Sequence, residues 1–202
     1  MADVWLRCSA CGMEGDADLI HRCPSCGEPL DVCYDLAAVR RRVSPAQIAS
    51  RPRGMWARHR ELLPLPDGAP LDSLGEGSTP LVPAPRLGAL LGVSHLYRKL
   101  ESANSTGSFK DRQISVAVSK ARAHGRSAFA ITSSGNAAAA AAAYSSRRGA
   151  RCFVWVGDTA PRPKVRPASR QVAHGTSGGR DAGASRGAAA RESSASTRRR
   201  DG

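Results

Sequence analysis

The sequence predicts an α/β fold: an open sheet of parallel strands crossed by helices, with a small four-cysteine module before it and a tail without regular structure after it. Three observations carry this expectation. Two Cys-x2-Cys pairs stand near the start, at Cys8, Cys11, Cys23 and Cys26. Between about residues 96 and 156, short apolar runs alternate with helical stretches closed by glycine, and from about Pro161 onward apolar periodicity stops.

The cysteine pairs are separated by eleven residues, and a glycine (Gly12, Gly27) follows each second cysteine, where the turn can aim backbone amides at thiolate sulfur. Four soft thiolates satisfy tetrahedral zinc, and the x2 spacing places two of them on one tight turn. The favoured reading of residues 1–34 is therefore a zinc ribbon with Cys8, Cys11, Cys23 and Cys26 as structural zinc ligands, although the loop between the pairs is shorter than usual. Two disulfides or free thiols are the alternatives, the former disfavoured in a reducing compartment. Cys33 and Cys152 read as buried thiols, and His21 as a surface histidine.

Residues 35–73 read as a short helix, Asp35 to Arg42, and a Pro-rich connector through Leu62-Leu63-Pro64-Leu65-Pro66, with Met55 and Trp56 as a local packing anchor. A helix from Leu87 to about Leu91 is ended by Gly92, and Leu96 to Leu100 reads as a strand. There follow a helix from Phe109 to His124 closed by Gly125, a strand from Ala128 to Thr132, an alanine-rich helix from Ala137 to Arg148 closed by Gly149, and a strand from Cys152 to Val156. Strand, helix, strand, helix, strand at these lengths implies parallel strands with right-handed crossovers. Ligands in such sheets sit beyond the carboxyl ends of strands, which is where the loops at 101–108 and 132–136 fall.

Those loops carry the chemistry. Ser108 and Asp111 form an S-x-x-D pattern, so a helix should start there with Lys110 in its first turn. The positive end of a helix dipole disfavours an ammonium group and lowers the amine's pKa, the direction needed for attack on an aldehyde carbon; the plain alternative is an exposed helix lysine. Ser133-Ser134-Gly135-Asn136, taken alone, is a strand-to-helix turn with a helix cap. The run Ala137 to Ala143 reflects helix propensity and close packing.

Leu74-Gly-Glu-Gly-Ser-Thr-Pro-Leu81, Tyr97-Arg-Lys-Leu-Glu101, Asn104 to Arg112 and Ser133 to Asn136 occur in an order and at intervals that resemble the threonine synthases, pyridoxal phosphate enzymes of fold type II. The resemblance implies a partial cofactor domain over 74–159, an incomplete open parallel sheet of that fold type. It implies Lys110 as the Schiff-base lysine, Asn136 as the hydrogen-bond partner of the cofactor's phenolate oxygen, and Ser133, Ser134 and Gly135 as the cradle of an amino acid substrate's carboxylate. The implied reaction converts O-phospho-L-homoserine and water to L-threonine and phosphate. Some members carry a similar N-terminal zinc ribbon. Asp111 and Arg112 are expected to stabilise the helix and position the loop. Ser105, Gln113 and Ala137 depart from the residues common in the family, Ala137 replacing a threonine that helps to hold substrate. Neither the Gly-rich phosphate loop nor the later Ser or Thr facing the pyridine nitrogen is recognisable, and Gly175-Thr-Ser-Gly-Gly179 imitates a phosphate loop without a strand before it or a helix after it. Complete members are considerably longer, so the expectation is an N-terminal portion, inactive alone, with a homo-oligomer left open for a full-length relative. A fold type II lyase of threonine dehydratase type is the nearest alternative.

The formal net charge of +13 concentrates late: residues 160–202 hold ten Lys and Arg against three acids. Their Arg, Ala, Ser and Gly composition cannot bury enough apolar surface to offset chain entropy, so a disordered tail is expected over 160–202. A shift of reading frame near residue 167 in a GC-rich gene would yield such a tail. A non-enzymatic zinc-ribbon protein whose basic tail binds nucleic acid is the third, disfavoured reading. No targeting segment and no apolar run long enough to cross a bilayer is visible, and a cytoplasmic location is the default expectation.

Overall fold

A computed structural model describes residues 4–133 and 135–157, together with the backbone of a strand at His174–Gly178. At the N-terminus, β1 (Val4–Cys8) lies between β2 (Glu14–Asp16) and β3 (Leu30–Tyr34), antiparallel to both. Alternation along β1 turns Leu6 and Cys8 inward and leaves Arg7 exposed.

α1 (Leu36–Arg42) starts at Asp35, whose carboxylate accepts from Ala38 N at 2.9 Å, and ends on Arg40, Arg41 and Arg42, where cations suit the helix dipole. The expected Pro-rich connector is corrected: it contains α2 (Pro45–Ser50), α3 (Met55–His59) and a 3-10 turn at Arg60–Leu62. Pro45 begins α2 rather than breaking it, because a proline at the first helical position gives up only an amide that has no partner anyway. Ser44 and Gln47 cap that end reciprocally at 3.2 and 2.8 Å. Arg51 forks Glu61 at 2.7 and 2.6 Å, and Tyr34 OH donates to Leu62 O at 2.8 Å, tying the segment to β3. Met55 and Trp56 are buried, as expected of a packing anchor.

β4 (Leu81–Pro83), α4 (Pro85–Leu91, ended by Gly92 in left-handed conformation) and β5 (Tyr97–Lys99) follow. Here the expected topology is corrected: β5 pairs antiparallel with β4 in a separate two-stranded sheet instead of opening the parallel sheet. Tyr97, Arg98 and Lys99 are all exposed, and such a segment cannot take a position buried on both faces.

The parallel sheet is built by β6 (Ala128–Thr132) and β7 (Arg151–Gly157), with α5 (Lys110–Ala123) before β6 and α6 (Asn136–Ser146) crossing between them. A third strand, β8 (His174–Gly178), adds in parallel to the other edge of β7. This corrects the expectation of a structureless tail at those five positions, and it places Gly175 to Gly178 in a strand rather than in a loop. A ladder is made by backbone groups, so a segment poor in apolar side chains can still join an open edge. The rest of the expected tail lies outside the described residues.

The core packs Ile114 and Val118 of α5 against Ala138, Ala140, Ala141 and Tyr144 of α6, with Cys152 and Val154 of β7 beneath. Small side chains let the two helices approach closely, and Ala140 and Ala142 have no exposed surface. Asp72, also fully buried, receives Arg122 Nη1 at 2.7 Å on both oxygens and Arg148 Nε at 2.6 Å, joining the chain before the glycine turn to the ends of both helices. At the far end of α5, His124 Nδ1 lies 3.2 Å from Asp18 of the cysteine module. Among the described residues no helix is long and apolar enough to cross a membrane.

Candidate functional site

Lys110 is the first residue of α5. The expected capping box is corrected in its partners: no side chain caps Phe109, the Ser108 hydroxyl accepts from Lys110 N at 3.2 Å, and Asp111 turns back to Thr106. Gly107, at φ +80°, folds the chain so that Thr106 N donates to the Asp111 carboxylate at 2.8 Å and the Thr106 hydroxyl donates to its other oxygen. Asp111 is completely buried and therefore fixes the loop from inside the first turn, in keeping with the positioning role expected of it. Lys110 is half-buried; its Nζ donates to Gln113 Oε1 at 3.1 Å and stands 4.8 Å from the centre of the Phe109 ring.

The loop ahead of Lys110 is clamped again at Glu101. Arg112 donates to it through Nε at 2.8 Å and Nη2 at 2.9 Å, while the Thr79 hydroxyl and Asn104 Nδ2 add bonds at 2.6 and 3.0 Å. The Arg112 guanidinium, helped by Thr79 and Asn104 against a smaller burial effect, brings the Glu101 carboxyl down to about 2. Asn104 Oδ1 accepts from Gly77 N at 3.0 Å, and the Ser105 hydroxyl donates to Leu74 O at 2.6 Å, so the lysine loop hangs on the glycine turn. Gly77 has φ +94°, and a Cβ there would lie 2.8 Å from Met55 N.

At the other motif, Ser133 N continues the sheet to Trp155 O at 3.0 Å, the Ser133 hydroxyl accepts from Gly135 N at 3.3 Å, and Gly135 O accepts from Ala138 N and Ala139 N. Asn136 opens α6 with an exposed side chain and is not its cap, a place taken by Gly135. Ser134 lies outside the described residues. A short turn carries α5 into β6, and β6 leads directly into α6, which therefore begins where β6 ends. Ser133, Gly135 and Asn136 thus sit at the carboxyl end of β6, and no hydrogen bond joins Lys110 to these three among the described residues. A cleft of about 390 Å³ between α3 and the glycine turn is lined by Trp56, Leu71, Gly75 and Ser78, and takes in none of these four.

The donor set suits pyridoxal phosphate at one end. A primary amine, a hydroxyl and the amides of a helix start are the groups that an aldehyde carbon and a substrate carboxylate require. A Gly-rich cradle for the phosphate is not among the described residues.

Four thiol sulfurs, of Cys8, Cys11, Cys23 and Cys26, lie within 4.8 Å of one another. Cys8 to Cys26 is 3.5 Å and Cys11 to Cys23 is 3.6 Å, near the roughly 3.8 Å edge of a tetrahedron with metal–sulfur bonds of about 2.3 Å. The Cys11 amide donates to Cys8 Sγ at 3.5 Å. At Cys23 burial pushes the thiol up, but the amides of Cys26 and Ser25 outweigh it and bring it down to about 6. Cys33 is half-buried and Cys152 buried, and neither joins the cluster.

Sequence reasoning assigned no role to Glu76, a buried acid beside the lysine loop whose carboxylate is bonded as fully as that of Glu101. Its Oε1 accepts from Trp56 Nε1 at 2.5 Å, and its Oε2 from Tyr144 OH at 2.7 Å, Leu74 N at 2.9 Å and the Ser73 hydroxyl at 3.0 Å. An acid between two glycines was the available signal.

Residues 73–195 match the family described as pyridoxal-phosphate dependent enzyme, a span that runs past the boundary at 160 drawn from composition. Threonine synthase of Methanocaldococcus jannaschii is 42% identical over 149 residues, covering 73% of this chain and 36% of that protein. Threonine synthase of Halalkalibacterium halodurans is 48% identical over 102 residues, covering 50% of this chain and 28% of that protein. The chain spans about a third of the length of such curated relatives. A solved structure of O-ureido-L-serine synthase aligns with a TM-score of 0.50 at 26% identity, over 59% of this chain and 38% of that one.

Proposed function

The chain belongs to the pyridoxal-phosphate dependent enzymes, and from that premise we propose that it is the lysine-bearing part of a threonine synthase, which converts O-phospho-L-homoserine and water to L-threonine and phosphate. The observation that carries this reading is Lys110 as the first residue of α5, within the span that matches the pyridoxal-phosphate dependent enzymes. The relatives named above, threonine synthases in both sequence matches, support the threonine synthase reading.

Bound pyridoxal phosphate would supply an electron sink for the bond-breaking steps. Lys110 would hold it through its Nζ and, once displaced by the substrate's amine, take up and return protons. Asn136 would bond the cofactor's ring oxygen. The Ser133 hydroxyl and the Gly135 amide would hold the substrate carboxylate at the start of α6, where the helix dipole favours an anion, with Ser134 as the remaining member of that turn. Ala137 offers no hydroxyl, so the carboxylate would rest on this turn alone.

The four-thiol cluster would hold a structural zinc ion, making residues 1–34 a ribbon remote from the chemistry. Thiolate ligation of this kind suits a reducing compartment, and the cytoplasm is the location that goes with it.

The test is the visible absorption spectrum of the purified chain mixed with pyridoxal phosphate, followed by borohydride trapping and peptide mapping. A trapped adduct on Lys110, lost in Lys110→Ala, supports the reading; an adduct spread evenly over surface lysines overturns the assignment of Lys110. Phosphate release from O-phosphohomoserine, as opposed to ketoacid release from threonine, distinguishes threonine synthase from a dehydratase.

A further inference from the structure

Glu76 is 1% exposed, and its carboxylate accepts hydrogen bonds from donors in separate parts of the chain, among them Trp56 in α3, Tyr144 in α6, and Ser73 and Leu74 in its own turn. Such a cluster holds only a carboxylate well, because an amide would turn its own N–H groups toward donors. Burial pushes the Glu76 carboxyl up, and the Tyr144 hydroxyl with backbone donors outweighs it, keeping the group below the usual range and charged.

The turn that this carboxylate holds together has backbone that does not hold itself. Gly75, Gly77 and Ser78 all have positive φ, at +86°, +94° and +48°. From this strained turn two backbone groups reach the lysine loop: Gly77 N donates to Asn104 Oδ1, and Leu74 O accepts from the Ser105 hydroxyl. They flank Glu76 in sequence and meet adjacent residues at the start of the loop that ends at Lys110.

We infer that Glu76 is a positioning residue for Lys110, acting through Leu74–Ser105 and Gly77–Asn104, the two hydrogen bonds its turn makes to the lysine loop. The inference rests on the reading of Lys110 as the cofactor lysine, but its geometry does not need the cofactor.

The test is amide hydrogen exchange on the full chain without cofactor, comparing Glu76→Gln with Asp72→Asn. Asp72 is a buried acid that joins α5 to Arg148 just after α6 and, among the described residues, makes no bond to residues 104–109. The expected result is exchange at 104–110 raised about tenfold or more in Glu76→Gln, the effect of one mismatched buried hydrogen bond, with no comparable local rise in Asp72→Asn. An equal rise in both variants, or a rise spread evenly over the chain in Glu76→Gln, reduces Glu76 to a stability residue and overturns the inference. If Glu76→Gln does not fold, Tyr144→Phe removes one donor without adding a polar group and should show the same local pattern more weakly; exchange at 104–110 indistinguishable from wild type in that variant overturns it. Borohydride trapping is the second readout: Glu76→Gln should lower adduct at Lys110 relative to the other lysines. A wild-type chain that gives no Lys110 adduct sinks the cofactor reading, while the exchange comparison still decides the role of Glu76.

Discussion

Gly77 N and Asn104 Oδ1 meet at 3.0 Å across 27 positions of sequence, and that bond fastens the loop ending at Lys110 to a turn the helices themselves do not contain. Its donor must be glycine on two counts: φ is +94°, and a Cβ would stand 2.8 Å from Met55 N and 3.1 Å from Met55 Cβ. Gly77→Ala should therefore cost about 3 kcal/mol, combining left-handed strain with a backbone collision, measured as a lower urea midpoint with an unchanged slope.

Glu101 gives a pH dependence with a defined sign. Paired with Arg112, it ionises at about 2 in the folded chain, against roughly 4.3 when unfolded. The unfolded chain binds more protons in between, so this contribution is complete above about pH 5 and disappears as pH falls toward 2. Urea midpoints measured from pH 6 to pH 2.5 should fall less steeply in Glu101→Gln than in wild type. Glu61, which Arg51 also brings down to about 2, leaves a residual slope in that variant.

Loss of the proposed zinc ion should act on the cysteine module alone. Cys23→Ser, or a strong chelator, should reduce zinc from one ion per chain to none and raise hydrogen exchange across β1, β2 and β3, because ligand binding energy is folding energy in a module this small. The helical signal of α5 and α6 should persist, since their core is built from Ile114, Val118, Tyr144 and neighbouring alanines that lie outside the cysteine cluster. Metal analysis alongside circular dichroism checks both halves.

The alanine helix is packed to its limit on one side. Ala140→Leu should cost about 1–3 kcal/mol by overpacking, because Ala140 has no exposed surface and the facing helix cannot withdraw without breaking its own contacts. Ala137→Thr, at a partly exposed position, should change stability by about 0.5 kcal/mol or less. Thermal melts of the two variants separate packing from propensity.

What was legible in the sequence was whatever has a period or a stop signal. α5, β6, α6 and β7 appeared within a residue or two of their observed ends, because Gly125 and Gly149 close helices and the apolar runs of strand length between them are bounded by turns. The pairing of β5 was not legible: a three-residue strand carries too little pattern to say which neighbour it joins, and its exposed residues fit only an edge. α2 was missed inside the Pro-rich connector, although Ser44, Pro45 and Gln47 carry the marks of a helix start. Of the lysine loop, the S-x-x-D spacing marked the helix start at Lys110, though not the turn of Asp111 back to Thr106. Glu76 was not legible, since its partners Trp56 and Tyr144 lie 20 and 68 positions away and only tertiary packing brings them together.

The same distances set an order of assembly. The Asp72 carboxylate waits 76 positions for Arg148, and Glu76 waits for Tyr144. While a ribosome is still extending the chain, both acids can remain hydrated at no cost; burying them before α6 emerges would leave each short of a donor. The cysteine module, whose strands close within 34 residues, has no such dependence and can fold as soon as it clears the exit tunnel. Nascent chains halted before Tyr144 should accordingly show a protease-resistant N-terminal module followed by a sensitive remainder, with resistance spreading through α5 only once Arg148 has been added.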